Sequence, residues 1–203
     1  MKTYLQLNTS LFGEDSQSSR LAGRFVAALA ESEGATVQPN VIVRDLGLNP
    51  VEHLTAERFK AFSTPADQRT PEQRRIAAES DALIDELRAA EIVVIGLPMY
   101  NFGVPSTLKA YFDHVARAGV TFRYSESGPV GLMTGKKAYV VATRGGQHAG
   151  TPRDMQSAFV RQFLGFIGIE DVEFVYVEGL ALGAVSREAA LRAAGERIEQ
   201  LAA

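Results

Sequence analysis

The segment Ile92-Val93-Val94-Ile95 restricts the folds open to this chain more than any other. Every residue in it is apolar and β-branched, and the run continues through Gly96 and Leu97 before Pro98 stops it. A strand with one wet face alternates. A strand apolar at every position needs cover on both faces, as central strands of parallel sheets do. Four more runs have strand character: Tyr4-Leu5-Gln6-Leu7, Val41-Ile42-Val43, Ala138-Tyr139-Val140-Val141-Ala142, and Val172-Glu173-Phe174-Val175-Tyr176-Val177. Between the runs the apolar residues recur at helical spacing. Leu21, Phe25, Ala28 and Leu29 follow the first run, and Ile76, Leu83, Ile84 and Leu87 precede the third. Leu108, Tyr111, Phe112 and Val115 follow it as an i, i+3, i+4, i+7 stripe. Residues 154–167 fit a further helix closing near Gly168, and Leu191, Ala194, Ile198 and Leu201 mark a last one. Thr70-Pro71-Glu72 supplies an N-cap followed by proline at the first helical position.

Strand and helix alternate throughout, which predicts an α/β fold with one parallel sheet between two helical layers. Five strands suggest the order 2-1-3-4-5, although the pattern alone leaves other doubly wound arrangements open. No linker, repeat or low-complexity tract divides the chain, so residues 1–203 read as one domain. Residues 47–70 are the least regular part, with Asn49-Pro50 and Thr64-Pro65 as breakers. They read as an insertion between the second strand and its long helix, as compatible with a plain surface loop as with a partner-binding segment.

Composition closes off several classes. A net charge of −3 without long charged runs gives no footprint for nucleic acid or anionic membrane. The absence of cysteine excludes disulfides, thiolate catalysis and cysteine-held metals. No apolar run approaches the roughly 20 residues that span a bilayer. The N-terminal residues lack the pattern of a signal peptide, so the expected location is cytoplasmic. His53, His114 and His148 make no metal spacing, and no metal is expected. Gly131-Leu132-Met133-Thr134-Gly135-Lys136-Lys137 superficially looks like a phosphate-binding loop, but its spacing is wrong and it precedes a strand.

Ligands of open parallel sheets bind outside the carboxyl ends of the strands, at the point where strand order reverses. Three loops therefore matter. The first runs from Asn8 to Ser19, is rich in hydroxyls and ends at a helix N-terminus, where free N–H groups and the helix dipole suit a phosphate. Simple helix capping by Asp15 or Ser16 explains the same residues equally well. The Gly-x-Gly-x-x-Gly of a dinucleotide fold is missing. The second loop, Pro98-Met99-Tyr100-Asn101-Phe102-Gly103-Val104-Pro105-Ser106, sets two aromatics, an amide and a thioether at the sheet edge. That mix suits a planar heteroaromatic ring, and its apolar part otherwise needs cover from the next helix or a second subunit. The third, Thr143-Arg144-Gly145-Gly146-Gln147-His148, has paired glycines whose N–H groups can face a developing anion, or that merely serve a turn.

These residues lie in a longer pattern. Residues 43–46, Pro98-Met99-Tyr100-Asn101-Phe102, residues 111–113 and 115–124, Gly131-Leu132, residues 134–137, Arg144-Gly145-Gly146 and residues 163–169 together resemble the bacterial FMN-dependent NADH:quinone oxidoreductases, or NADH-azoreductases, over essentially the whole chain. The resemblance implies a flavodoxin-like three-layer sandwich and a homodimer with one FMN per subunit near the interface. It implies NADH or NADPH as donor, and quinones and aromatic azo compounds as substrates. Ser10, Ser16, Gln17 and Ser18 would hold the ribityl phosphate. Pro98, Met99, Tyr100, Asn101 and Phe102 would line the isoalloxazine, with Thr143, Arg144, Gly145 and Gly146 at its pyrimidine side. Tyr124 and Phe166 would shape the substrate pocket, Phe166 from the other subunit, with His148 beside it. Thr143 stands where a serine is frequent, which keeps the hydroxyl. Gln147 and Ala149-Gly150-Thr151 depart from the family pattern beside the pocket and bear on substrate preference.

The mechanism implied is ping-pong, with the flavin carrying the chemistry and no side chain needed as a strong acid or base. Two rivals are an FMN reductase that hands its flavin to a partner and a flavodoxin-like electron carrier. A carrier should be strongly acidic, which −3 is not. A phospho-receiver shares the strand order but needs acidic residues after strand one, where this chain has Asn8-Thr9-Ser10.

Overall fold

All five expected strands form. In the computed structural model, which describes residues 2–34 and 39–203, the elements run β1 (Thr3–Asn8), α1 (Gln17–Ser32), β2 (Asn40–Asp45), α2 (Ala56–Ser63), α3 (Pro71–Ala89), β3 (Ile92–Pro98), α4 (Ser106–Val115), β4 (Phe122–Ser125), β5 (Gly128–Gly131), β6 (Lys137–Thr143), α5 (Met155–Ile167), β7 (Asp171–Val177) and α6 (Ala184–Ala202). The sheet is parallel with order β2-β1-β3-β6-β7, which is the expected 2-1-3-4-5 once the β4–β5 hairpin is set aside. This is the flavodoxin-like arrangement.

Strand periodicity divides the core in two. Leu5, Leu7, Val93, Ile95, Leu97 and Val140 pack on the side of α3, α4 and α5. Tyr4, Val94, Tyr139, Val141 and Val175 pack on the side of α1 and α6. Every residue of β3 is buried, because it is the central strand of the five and has a helical layer on each face. Full burial of each such aliphatic side chain contributes roughly 1.5–3 kcal/mol. The α4 stripe Leu108, Tyr111, Phe112 and Val115 is buried as its spacing requires, and Phe112 stacks on Phe163 of α5 at 3.9 Å.

Local signals set the helix ends. Thr70 and Gln73 form a reciprocal capping box at α3, with Pro71 at its first position. Asp154 caps α5 by accepting the Ser157 N–H, and Gly168 ends it at φ 103°. Gly96 decides how close α1 comes to the sheet: a Cβ there would lie 2.8 Å from the Ser18 carbonyl oxygen. Any larger residue would push the α1 N-terminus off the end of β3.

Two elements depart from the expectation. Residues 47–70 contain α2, capped by Thr55. Its Arg58 is buried and reaches Glu52, Glu79 and His114. The second is the antiparallel β4–β5 hairpin, whose four-residue strands are too short to show periodicity. Among the described residues no helix is long and apolar enough to cross a membrane.

Candidate active site

The three loops meet at the carboxyl ends of β1, β3 and β6, around an open cleft of about 260 Å³. At its first wall, Ser16 is the N-cap of α1. Its Oγ accepts the Ser19 N–H at 3.3 Å and lies 2.8 Å from Ser18 Oγ. The first turn of α1 carries no acidic residue, while Asp15, just before the cap, also lines the cleft and pairs with Arg20 at 3.3 Å. Gln17 also lines this wall. Capping and anion-binding geometry therefore coexist at the same residues.

The second loop is bound to the first by one side chain. The Tyr100 hydroxyl lies 3.1 Å from Ser10 Oγ and accepts the Leu11 N–H at 3.2 Å. Tyr100 and Gly103 exchange both backbone hydrogen bonds, at 3.2 and 3.0 Å, with Asn101 at φ 48° and Phe102 at φ 67° between them. Two consecutive positive φ values make this a type I′ turn. Asparagine tolerates that region, but phenylalanine rarely enters it, and a strained residue of this kind costs roughly 1–3 kcal/mol. Asn101 and Phe102 are exposed, Phe102 to 62%, next to Tyr100, which lines the cleft.

The third loop is backed by the loop after β7. The carbonyls of Arg144, Gly145 and Gly146 accept N–H groups of Leu180, Ala181 and Gly179. Among the described residues the N–H groups of Gly145 and Gly146 have no protein acceptor. The Arg144 side chain is turned away from the cleft and fully buried. It pairs with Asp154 at 2.8 Å and Glu178 at 3.0 Å, bonds Ser157 Oγ at 2.9 Å and lies over the Tyr176 ring. Burial alone would raise the Asp154 pKa, but Arg144 and the Ser157 N–H hold the carboxyl below its ordinary value. Glu178 also accepts the N–H groups of His148 and Ala149, at 2.8 and 2.9 Å. Arg144 thus braces the loop through its side chain and offers the cleft its backbone.

His148 joins the third loop to the second: its ring meets Phe102 edge-on at 6.0 Å, and its Nδ1 is buried without a protein partner among the described residues. Pro98, Thr143 and Tyr100 also line the cleft, and Met99 donates its N–H to the Thr143 carbonyl at 3.0 Å. Tyr124 and Phe166 are not brought there. Phe166 lies ten residues beyond Gln156 on α5, or roughly 15 Å along the helix at 1.5 Å per residue. Tyr124, on β4, is 75% exposed and touches Phe122, which packs on Phe166.

Two cleft residues escaped the sequence reading, Leu180 and Arg187. Both follow β7, whose carboxyl end opens at the same sheet edge. The fifth strand was legible, so its loop could have been read with the other three. His114 lies outside the site, buried with Nδ1 2.8 Å from the Ala110 carbonyl. No group of metal-ligating side chains occurs among the described residues. A larger hollow of about 790 Å³ at the amino ends of the strands holds the pairs Lys2–Glu33 and Lys137–Asp171, with Lys136 bonded to the Arg88 and Ala90 carbonyls. It presents no comparable set of free donors.

Comparisons with known proteins agree with this geometry. The family model described as flavodoxin-like fold matches residues 2–202. An FMN-dependent NADH:quinone oxidoreductase of Burkholderia pseudomallei is 54% identical over 199 residues, covering 98% of each chain. One from Cellvibrio japonicus is 49% identical over 202 residues, again 98% of each. Among solved structures, an azoreductase from Bacillus anthracis superposes with a TM-score of 0.88 at 26% identity, covering 100% of this chain and 99% of its own. With the expected strand order, the three loops joined in one cleft and this identity over nearly its whole length, the chain belongs to the FMN-dependent NADH:quinone oxidoreductase family of the flavodoxin-like fold.

Proposed function

We propose that this protein is an FMN-dependent NADH oxidoreductase that reduces quinones by two electrons and cleaves aromatic azo bonds to amines, its donor and acceptor binding in turn. The observation that carries the reading is the strained Asn101-Phe102 turn, held beside the Gly145-Gly146 loop and the hydroxyl-capped α1 N-terminus. FMN suits each part of this cleft. Ser10, Ser16, Gln17 and Ser18 offer hydroxyl, amide and backbone donors for a phosphate monoester, at a helix whose first turn has no carboxylate and whose neighbouring Asp15 is paired with Arg20. Pro98, Met99, Tyr100, Asn101 and Phe102 supply apolar surface and an amide for a flat ring. The free N–H groups of Gly145 and Gly146, with Thr143 and the Arg144 backbone beside them, would offer donors to the pyrimidine part of a bound flavin.

Bound FMN would supply the redox chemistry, taking a hydride from NADH and returning two electrons to the acceptor. The chain's task is to place and shield. Phe102 and His148 form an aromatic edge at the mouth against which a planar donor or acceptor can rest. An order in which donor and acceptor bind in turn would follow if both rest in the same open cleft.

The functional unit in this reading is one domain per chain, paired as a homodimer. An apolar groove of about 520 Å³ beside the cleft is lined by Val104, Met155 and Phe159. Met155, Phe159, Phe163 and Phe166 recur on α5 at spacings that put them on one side. A second copy on this face covers it, and can bring its own Tyr124 and Phe166 to the neighbouring cleft, which neither reaches within one chain. The cytoplasm, where NADH is made and used, is the proposed location.

Steady-state kinetics test the mechanism. NADH varied at several fixed benzoquinone concentrations should give parallel double-reciprocal lines; intersecting lines would rule out alternate binding.

A further inference from the structure

We propose that Gln156 is a positioning residue that fixes the spacing of the two loops on either side of the flavin ring, an inference resting on the FMN reading above. Gln156 lies in the first turn of α5 and is 1% exposed. Its Nε2 donates to the Pro98 carbonyl at 2.9 Å and to the Gly103 carbonyl at 3.1 Å. Its Oε1 faces Arg144 Nε at 3.4 Å. The amide can adopt only this orientation, because the flipped form would set an oxygen against two carbonyl oxygens and an NH₂ against a guanidinium.

These contacts hold the second loop at both ends of its strained turn. Pro98 is the last residue of β3, and Gly103 closes the hydrogen-bonded pair with Tyr100. The same turn of α5 holds the root of the third loop, through Asp154 and Ser157 on Arg144. One helical turn, residues 154–157, is therefore the common anchor for the loops that begin at Pro98 and at Thr143. Beyond the β3–β6 ladder, which ends at the Pro98–Thr143 pair, direct contact between the loops is limited to the Met99 N–H on the Thr143 carbonyl and the Phe102 ring against His148. Asn101 and Phe102 occupy left-handed backbone that both would leave if released, so the clamp keeps them in place. A buried carbonyl that loses its donor is costly, which gives the local structure a reason to rearrange.

The test compares wild type, Q156L, Q156E and R161Q as apo-proteins. Arg161 lies farther along α5, over Phe174 and on the Val172 carbonyl, and touches neither loop. Each protein is titrated with FMN by flavin fluorescence, the visible band of the bound flavin is recorded, and the thermal midpoint is measured. Q156L should bind FMN about tenfold or more weakly and shift the visible band, as expected when a buried hydrogen-bonded anchor is lost. R161Q should keep wild-type affinity and spectrum even where its midpoint falls as far. Q156E keeps the size but presents only acceptors when ionised, so its affinity should be low at pH 8 and recover as acid restores one donor. That arm decides the matter if Q156L does not fold. Wild-type affinity and spectrum at pH 8 in either Gln156 variant would overturn the proposal, as would equal weakening in R161Q. Failure of the wild-type chain to take up FMN would instead overturn the FMN reading itself.

Discussion

Phe102 at φ 67° is a residue in the wrong conformation for its type, and it stands exposed on the loop after β3. Glycine would occupy the same backbone without the Cβ clash. F102G should therefore stabilise the apo-protein by about 1 kcal/mol, a rise of roughly 2–4 °C in the thermal midpoint for a chain of this size. It should also weaken FMN binding, because the exposed ring is lost. A midpoint that falls would mean the turn is not strained. The sequence showed which residue types stood after β3, but not this conformation, since nothing in Tyr100-Asn101-Phe102-Gly103 forces phenylalanine into left-handed backbone. Arg144 teaches a similar lesson. Its place among the cofactor loops was legible, whereas the direction of its guanidinium was not, because its partners Asp154 and Glu178 come from two other elements.

At the scale of elements, α2 docks on α3 and α4 through a buried polar cluster. Arg58 reaches Glu52, Glu79 and His114, while the Phe62 ring meets His114 edge-on and lies against Arg117. Burial lowers the His114 pKa, and nearby Arg58 acts in the same direction against the Ala110 carbonyl. Nδ1 faces that carbonyl and must carry the proton, which leaves Nε2 to accept from Arg58 at 3.4 Å. The folded protein thus resists a proton that the unfolded chain accepts near its ordinary pKa of about 6.5. Stability from this site is complete above that value and declines as pH falls below it. Urea unfolding between pH 7.5 and 5 should show that decline, and H114Q should flatten it; identical slopes would place the dependence elsewhere. α2 was the part of the fold least visible in the sequence. Its eight residues hold only a narrow buried face, and its main anchor, Arg58, is a charged residue that pattern reading assigns to solvent. The five strands and the long helices were visible because one or both of their faces are apolar over many residues.

At the scale of the whole molecule, the sheet brings to one edge what the sequence keeps more than a hundred residues apart, and leaves two expected pocket residues stranded. In the proposed homodimer a second subunit would supply them. F159D places a charge in the apolar groove beside the cleft and should convert the dimer to a monomer in sedimentation, with FMN still bound through the three loops. A wild-type protein that sediments as a monomer at micromolar concentration would contradict the paired arrangement. The central claim, that the cleft holds an FMN reducible by NADH, has a more direct test. The FMN-loaded protein is mixed with NADH without oxygen, freed of nucleotide, and then given benzoquinone or methyl red. NADH should bleach the visible flavin band and either acceptor should restore it. A flavin band that NADH leaves unchanged would contradict the account.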